Sequence, residues 1–127
     1  MSICAPDVLG LEPVNVTWNI VRGDTANLRI DFLESDEETH YDISQWQILS
    51  TVYDPKTTIF DEILVTKNQG WIVVTATAEE TRLWGAGMKS RPNELSFDVE
   101  VTLADGSVWT PVRGSISLIG DVTGGTL

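Results

Sequence analysis

Residues 94–118 read ELSFDVEVTLADGSVWTPVRGSISL. Leu95, Phe97, Val99, Val101 and Leu103 alternate with Glu94, Ser96, Asp98, Glu100 and Thr102, the two-residue period of a strand with one buried and one wet face. Asp105-Gly106 then marks a hairpin turn. With those two residues as the turn, Leu103 pairs with Val108, Val101 with Thr110, Val99 with Val112 and Leu95 with Ile116. Gly114 falls opposite Phe97, where its missing side chain leaves room for the ring. Asp98 lands opposite Arg113 as an attractive cross-strand pair. The same register sets Trp109 on the outward face, beside Pro111 and across from Thr102. An outward tryptophan anchors interfaces or covers a loop, so Trp109, Pro111 and Arg113 are the candidate interface residues.

The same alternation organises the rest of the chain. Val14–Val21 and Ala26–Leu33 read as strands joined by Arg22-Gly23-Asp24-Thr25, with Ala26, Leu28, Ile30 and Phe32 turned inward. Trp46–Tyr53 is a strand ended by Asp54-Pro55. Ile59–Thr66 and Trp71–Thr77 form a second hairpin across Lys67-Asn68-Gln69-Gly70. Ala78–Trp84 is the one helical turn, closed by Gly85 and Gly87. Met88–Asn93 reads as a loop and residues 123–127 as a loose tail. Trp18, Trp46 and Trp71 belong to the core or its margin, and Trp84 plugs one end. The expectation is an all-β, immunoglobulin-like β-sandwich of about seven antiparallel strands with one short helical turn. It occupies 1–127 as a single domain, with its core over about 14–122 and loose termini.

The 127 residues suit one domain able to bury a core without disulfides or metals. Eight Lys and Arg against 19 Asp and Glu give a net charge of -11. That balance argues against nucleic acid and anionic membranes as partners, since both are held by clustered cations. Cys4 is the single cysteine, so no internal disulfide can form. The first residues lack the basic and apolar regions of a signal peptide, and no apolar run approaches a membrane span. Asn15-Val16-Thr17 matches a glycosylation sequon by chance.

Catalysis finds little to work with. His40, the single histidine, lies in a polar loop flanked by acids. No Gly-x-Ser-x-Gly elbow or phosphate-binding glycine loop is present. One Cys and one His cannot supply the usual zinc sets. Glu34, Asp36, Glu37, Glu38 and Asp42 form an acidic loop with some capacity for calcium, but their spacing is not that of an EF-hand. Arg22-Gly23-Asp24 spells an integrin-recognition tripeptide at a place where a Gly-Asp turn already has a structural reason. No catalytic, cofactor or metal residue is expected.

The order of short motifs carries a family likeness. Val21-Arg22-Gly23-Asp24-Thr25 precedes an alternating strand; Asp42-Ile43-Ser44 and a Trp-led strand follow. Gly70-Trp71-Ile72-Val73-Val74, the helical turn Ala78–Trp84, Asp105-Gly106 and Arg113-Gly114-Ser115-Ile116 complete the series over about residues 14–122. This resembles small structural domains of tailed bacteriophages, namely the N-terminal domain of upper baseplate proteins and the LtfC-like proteins of phages infecting actinobacteria. The resemblance implies a non-enzymatic virion component, a minor tail or baseplate protein or adaptor. Such a protein is assembled in the host cytoplasm and docks in several copies on other virion proteins. A capsid decoration protein and a cellular immunoglobulin-like adhesion or carbohydrate-binding module are the alternatives.

Overall fold

A computed structural model describes residues 1–4, 12–84 and 93–120. The β-rich pattern read from the sequence is present. The strands are β1 (Ser2–Cys4), β2 (Val14–Val21), β3 (Ala26–Leu33), β4 (Gln47–Asp54), β5 (Ile59–Lys67), β6 (Trp71–Ala76), β7 (Asn93–Thr102) and β8 (Val108–Ile119), with helix α1 (Ala78–Leu83) between β6 and β7. The segments expected to be a loop before β7 and a loose tail fall largely or wholly outside the described residues, as do the glycines expected to close α1.

The strands form one mixed sheet in the order β1-β3-β6-β5-β4-β7-β8-β2. The pairings in its middle are antiparallel, whereas β1 runs parallel to β3 and β2 parallel to β8 at the two ends. The expected count of about seven antiparallel strands therefore gives way, among the described residues, to eight in a mixed arrangement. β1 went unforeseen: Cys4, read as part of a loose terminus, pairs with Leu33 of β3 and its thiol is free and exposed. Three residues carry too little alternation to reveal a strand.

β5 holds the sheet's curl. Ile59–Ile63 pair with β4, whereas Leu64–Lys67 pair with β6. Four strands separate β3 from β8 in the order, which in a flat sheet would put them roughly 24 Å apart at about 4.8 Å per step. Yet the rings of Phe32 on β3 and Trp109 on β8 lie 6.1 Å apart, centre to centre. The sheet therefore curls until its ends face each other across one core. Ile30, Phe32, Ile72 and Val74 come from one end; Val99, Val101, Val112 and Ile116 come from the other, and all are buried.

The hairpin that decides the reading needs one correction. Its lower half keeps the expected register: Leu95 pairs with Ile116, Phe97 with Gly114, Asp98 with Arg113 and Val99 with Val112. Its upper half is displaced by one residue, with Val101 opposite Trp109 and Thr102 opposite Val108. The turn causes this. The Leu103 N–H donates to the Ser107 carbonyl, and Gly106 sits at φ 89°. Ala104-Asp105-Gly106 is thus a three-residue loop with glycine in the left-handed position, instead of a two-residue turn on Asp105-Gly106. A bulge restores the register lower down, where Glu100 stands against Thr110 and Pro111 together. Pro111 suits that place because it has no N–H to give the ladder.

A one-residue slip moves side chains to the opposite face, so Trp109 points inward. It is 7% exposed and meets Trp46 edge-to-face at 5.7 Å. Pro111 is buried as well. Of the three candidate interface residues, Arg113 alone is exposed. Gly114, opposite Phe97 as expected, also meets a second constraint. A Cβ there would sit 1.8 Å from the Val16 carbonyl oxygen, so glycine admits the close approach of β2.

Trp109→Ala is expected to lower stability by about 3–5 kcal/mol, the cost of emptying a large buried aromatic site. Urea unfolding followed by circular dichroism measures it. A loss below about 0.5 kcal/mol, the surface norm, would return Trp109 to the outer face.

Candidate functional site

Most sequence-level candidates have structural employment. Arg22 of the Arg-Gly-Asp tripeptide is fully buried. Its guanidinium donates to the carbonyls of Arg82 (3.1 Å) and Trp84, at the end of α1, where a helix leaves carbonyls unpaired and favours a cation. Burial lowers its pKa from the ordinary arginine value, yet arginine remains protonated. Gly23 adopts φ 87° and its N–H donates to the Thr81 hydroxyl, which donates to the Asp24 carbonyl. The tripeptide therefore clamps the β2–β3 turn onto α1, and its arginine is closed to a receptor.

His40 bridges to Leu33 and its Nε2 lies 2.9 Å from Asp31 Oδ1. Arg29 holds the same carboxylate, and its hydrogen bonds keep the Asp31 pKa low, with His40 adding to the effect. Gly70, at φ 82°, is packed against the His40 side chain. In the acidic loop, Asp36 accepts from the N–H groups of Glu38 and Thr39 and from the Thr39 hydroxyl. Asp42 accepts from Ser44 N–H. Both carboxylates are pulled down in pKa by these bonds. Among the described residues, no three His, Cys, Asp or Glu side chains gather as a cation-ligand set.

The other tryptophans also fall into place. Trp18 and Trp46 are buried. Trp71 lies on the outer face, its ring covered by the Arg29 guanidinium at 3.9 Å. Trp84 is buried after α1, and its indole N–H donates to Asp61.

What remains uncommitted is the outer face of β5-β4-β7-β8-β2. Cross-strand pairing aligns its side chains in rows. One row runs Glu62, Thr51, Asp98, Arg113, Asn15; the next runs Phe60, Tyr53, Ser96, Ser115, Thr17. A shallow concavity of about 650 Å³ lies over them, lined by Leu49, Tyr53, Phe60, Asp98, Glu100 and Arg113 among others. Tyr53 and Phe60 stack at 4.6 Å, and Phe60 is 72% exposed. Sequence reasoning missed this pair. Its signal was two aromatics at outward positions of adjacent strands, hidden because the Ile59–Ile63 pairing with β4 could not be read from either strand alone.

Asp98 and Arg113 occupy paired positions, as expected, but form no ion pair. Burial raises the Asp98 pKa, Glu100 raises it further, and Arg113 opposes both.

No family model matches the chain, and no curated protein does. Among solved structures, the bradyzoite-specific antigen of Toxoplasma gondii is similar at a TM-score of 0.48 and 11% identity, over 95% of this chain and 49% of that one. A Photobacterium 2,6-sialyltransferase gives 0.38 and 10%, over 87% of this chain and 19% of that one. A family 123 glycoside hydrolase from Clostridium perfringens gives 0.30 and 16%, over 84% and 23%. The chain thus spans half or less of each, and none of the three is a phage protein. At these scores the likeness bears on neither fold family nor function.

The raised Asp98 pKa has a signed consequence. The folded chain holds this proton more tightly than the unfolded chain, so the site's contribution is full below the unfolded carboxyl range and is lost as pH rises through the raised value. Asp98→Asn removes that loss. The variant is expected to gain stability relative to the parent between about pH 4 and pH 7. Urea midpoints of both proteins across that range check it, and the difference cancels the other carboxylates. Parallel curves would place Asp98 in ordinary solvent.

Proposed function

We propose that the chain is a non-enzymatic docking module that works through the surface around Phe60. The observation that carries this is the exposure of Leu49 (52%), Ile59 (62%), Phe60 (72%) and Leu83 (65%). All four line the concavities on either side of Phe60. Large apolar side chains gathered in one exposed patch mark interaction surfaces, whereas isolated ones are ordinary. Arg113, one of the candidate interface residues read from the sequence, is exposed and lines the first concavity.

The fold belongs to the same reading. A sheet curled through β5, with β1 and β2 at its opposite edges and α1 between β6 and β7, is compatible with the strand logic of an immunoglobulin-like sandwich. The motif order from Val21 to Ile116 supports a tailed-phage setting. There the chain is a minor tail or baseplate component or adaptor, present in several copies and assembled into the virion in the host cytoplasm. Capsid decoration is the alternative within that setting. A second reading, a carbohydrate-binding module, is favoured by the stacked Tyr53–Phe60 pair beside Asp98, Glu100 and Arg113, since sugar faces pack on aromatics and their hydroxyls pair with charged groups.

Phe60→Ser is expected to leave the circular dichroism spectrum unchanged and to abolish incorporation into particles, read by mass spectrometry of purified virions. Tens of copies or fewer place the chain in the tail; hundreds place it on the capsid. Absence of the parent protein from particles overturns the virion reading, and a glycan array that responds to the parent but not to Phe60→Ser would establish the carbohydrate one.

A further inference from the structure

A second concavity, of about 470 Å³, opens between α1 and the β4–β5 hairpin on the far side of Phe60. Its composition differs from that of the outer face. Ile59, Phe60 and Leu83 form an apolar rim, each more than 60% exposed. Trp84, Val52 and Leu95 lie beneath, almost fully buried. Among the described residues, every charged one lining it is acidic: Asp54, Asp61, Glu79 and Glu80. The nearest cations in sequence, Lys56 and Arg82, are not part of the lining.

The carboxylates are only partly committed. Asp61 Oδ2 accepts from the Trp84 indole. Glu80 Oε1 accepts from Thr77 N–H in the box that caps α1. Asp54 Oδ1 accepts from Lys56 N–H. Asp54, at 5% exposed, forms the inner acidic wall of the groove, with one backbone N–H donating to its carboxylate.

We infer that this groove binds a basic–apolar segment of a partner protein, with an aliphatic or aromatic side chain on the Ile59–Phe60–Leu83 rim and a Lys or Arg head on the Asp54 and Asp61 side. The inference rests on the docking reading and assigns that partner its chemistry. A second copy of this chain is a poor occupant, since it brings a net charge of -11 against a groove whose described lining is acidic. Nucleic acid and anionic lipid are repelled for the same reason. A bare cation finds no cluster of three ligands among the described residues. An apolar rim with carboxylates fits a segment carrying both an apolar side chain and a positive head.

The test uses the full chain, labelled with nitrogen-15, and two synthetic peptides, one alternating Leu with Lys and the other Leu with Glu. The Leu–Lys peptide is expected to shift the Trp84 indole resonance and the amides of Leu83 and Phe60, with an affinity that falls as salt rises. The Leu–Glu peptide is expected to shift none of them. Glu79→Lys, on an exposed helix position outside the capping box, is expected to weaken the Leu–Lys complex about tenfold. Equal binding of both peptides, or an unchanged affinity in Glu79→Lys, overturns the charge assignment and leaves Phe60 docking intact. Shifts confined to the Asp98 and Glu100 region, or none at all, overturn the groove itself, whereas loss of the docking reading would appear separately as Phe60→Ser entering particles normally.

Discussion

Three aromatic rings, Phe32, Trp46 and Trp109, meet edge to face within the core. They come from β3, from the residue ahead of β4, and from β8. These strands stand well apart in the sheet order, so their contact requires the curl. Edge-to-face pairs add to the large area such rings remove from water. The Lys67 ammonium ties the same corner by donating to the carbonyls of Ser44 and Trp46. The outer face is a consequence: a sheet that turns one surface onto itself leaves the other to solvent, and Phe60 sits at the start of β5, on the half that pairs with β4.

The two-residue alternation made most strand boundaries legible, because burial on one side only imposes that period locally. Hairpin length is a finer matter. Asp105-Gly106 serves a two-residue turn and a three-residue loop equally well, since both place glycine at positive φ. The sequence did hold a discriminating mark in Pro111. A residue without an N–H in the middle of a long strand points to a bulge, and a bulge there implies opposite faces above and below it. Applied to Trp109, that reasoning turns the ring inward.

Other features were unreadable for a different reason: they exist only when distant segments meet. Arg22 is an ordinary turn residue until β2 pairs with β8 and carries it beneath the end of α1. There its burial and its carbonyl partners depend on chain 60 and more residues away. Gly114 lies opposite Phe97 across the hairpin, but the tightest space around it is set by Val16, nearly a hundred positions earlier. The Tyr53–Phe60 pair needs the β4–β5 register. In each case the residue type was a clue to some constraint, tight space or a cation, but not to which neighbour imposed it.

The two concavities share Phe60 but differ in charge, and the difference follows from what borders them. On the outer face Arg113 stands among Asp98 and Glu100, so a partner meets both signs and is positioned by pairing. Beside α1 the helix contributes Glu79 and Glu80 from its first turn, where negative charge is favoured by the helix's own N–H groups, and the hairpin adds Asp54 and Asp61. Acidity there is a by-product of starting a helix against a strand pair, and among the described residues no cation lines the groove to balance it. A ligand spanning the Phe60 ridge would therefore be held by apolar contact at the centre and oriented by its charge at one end. That polarity would give the proposed docking surface a direction of attachment as well as a place.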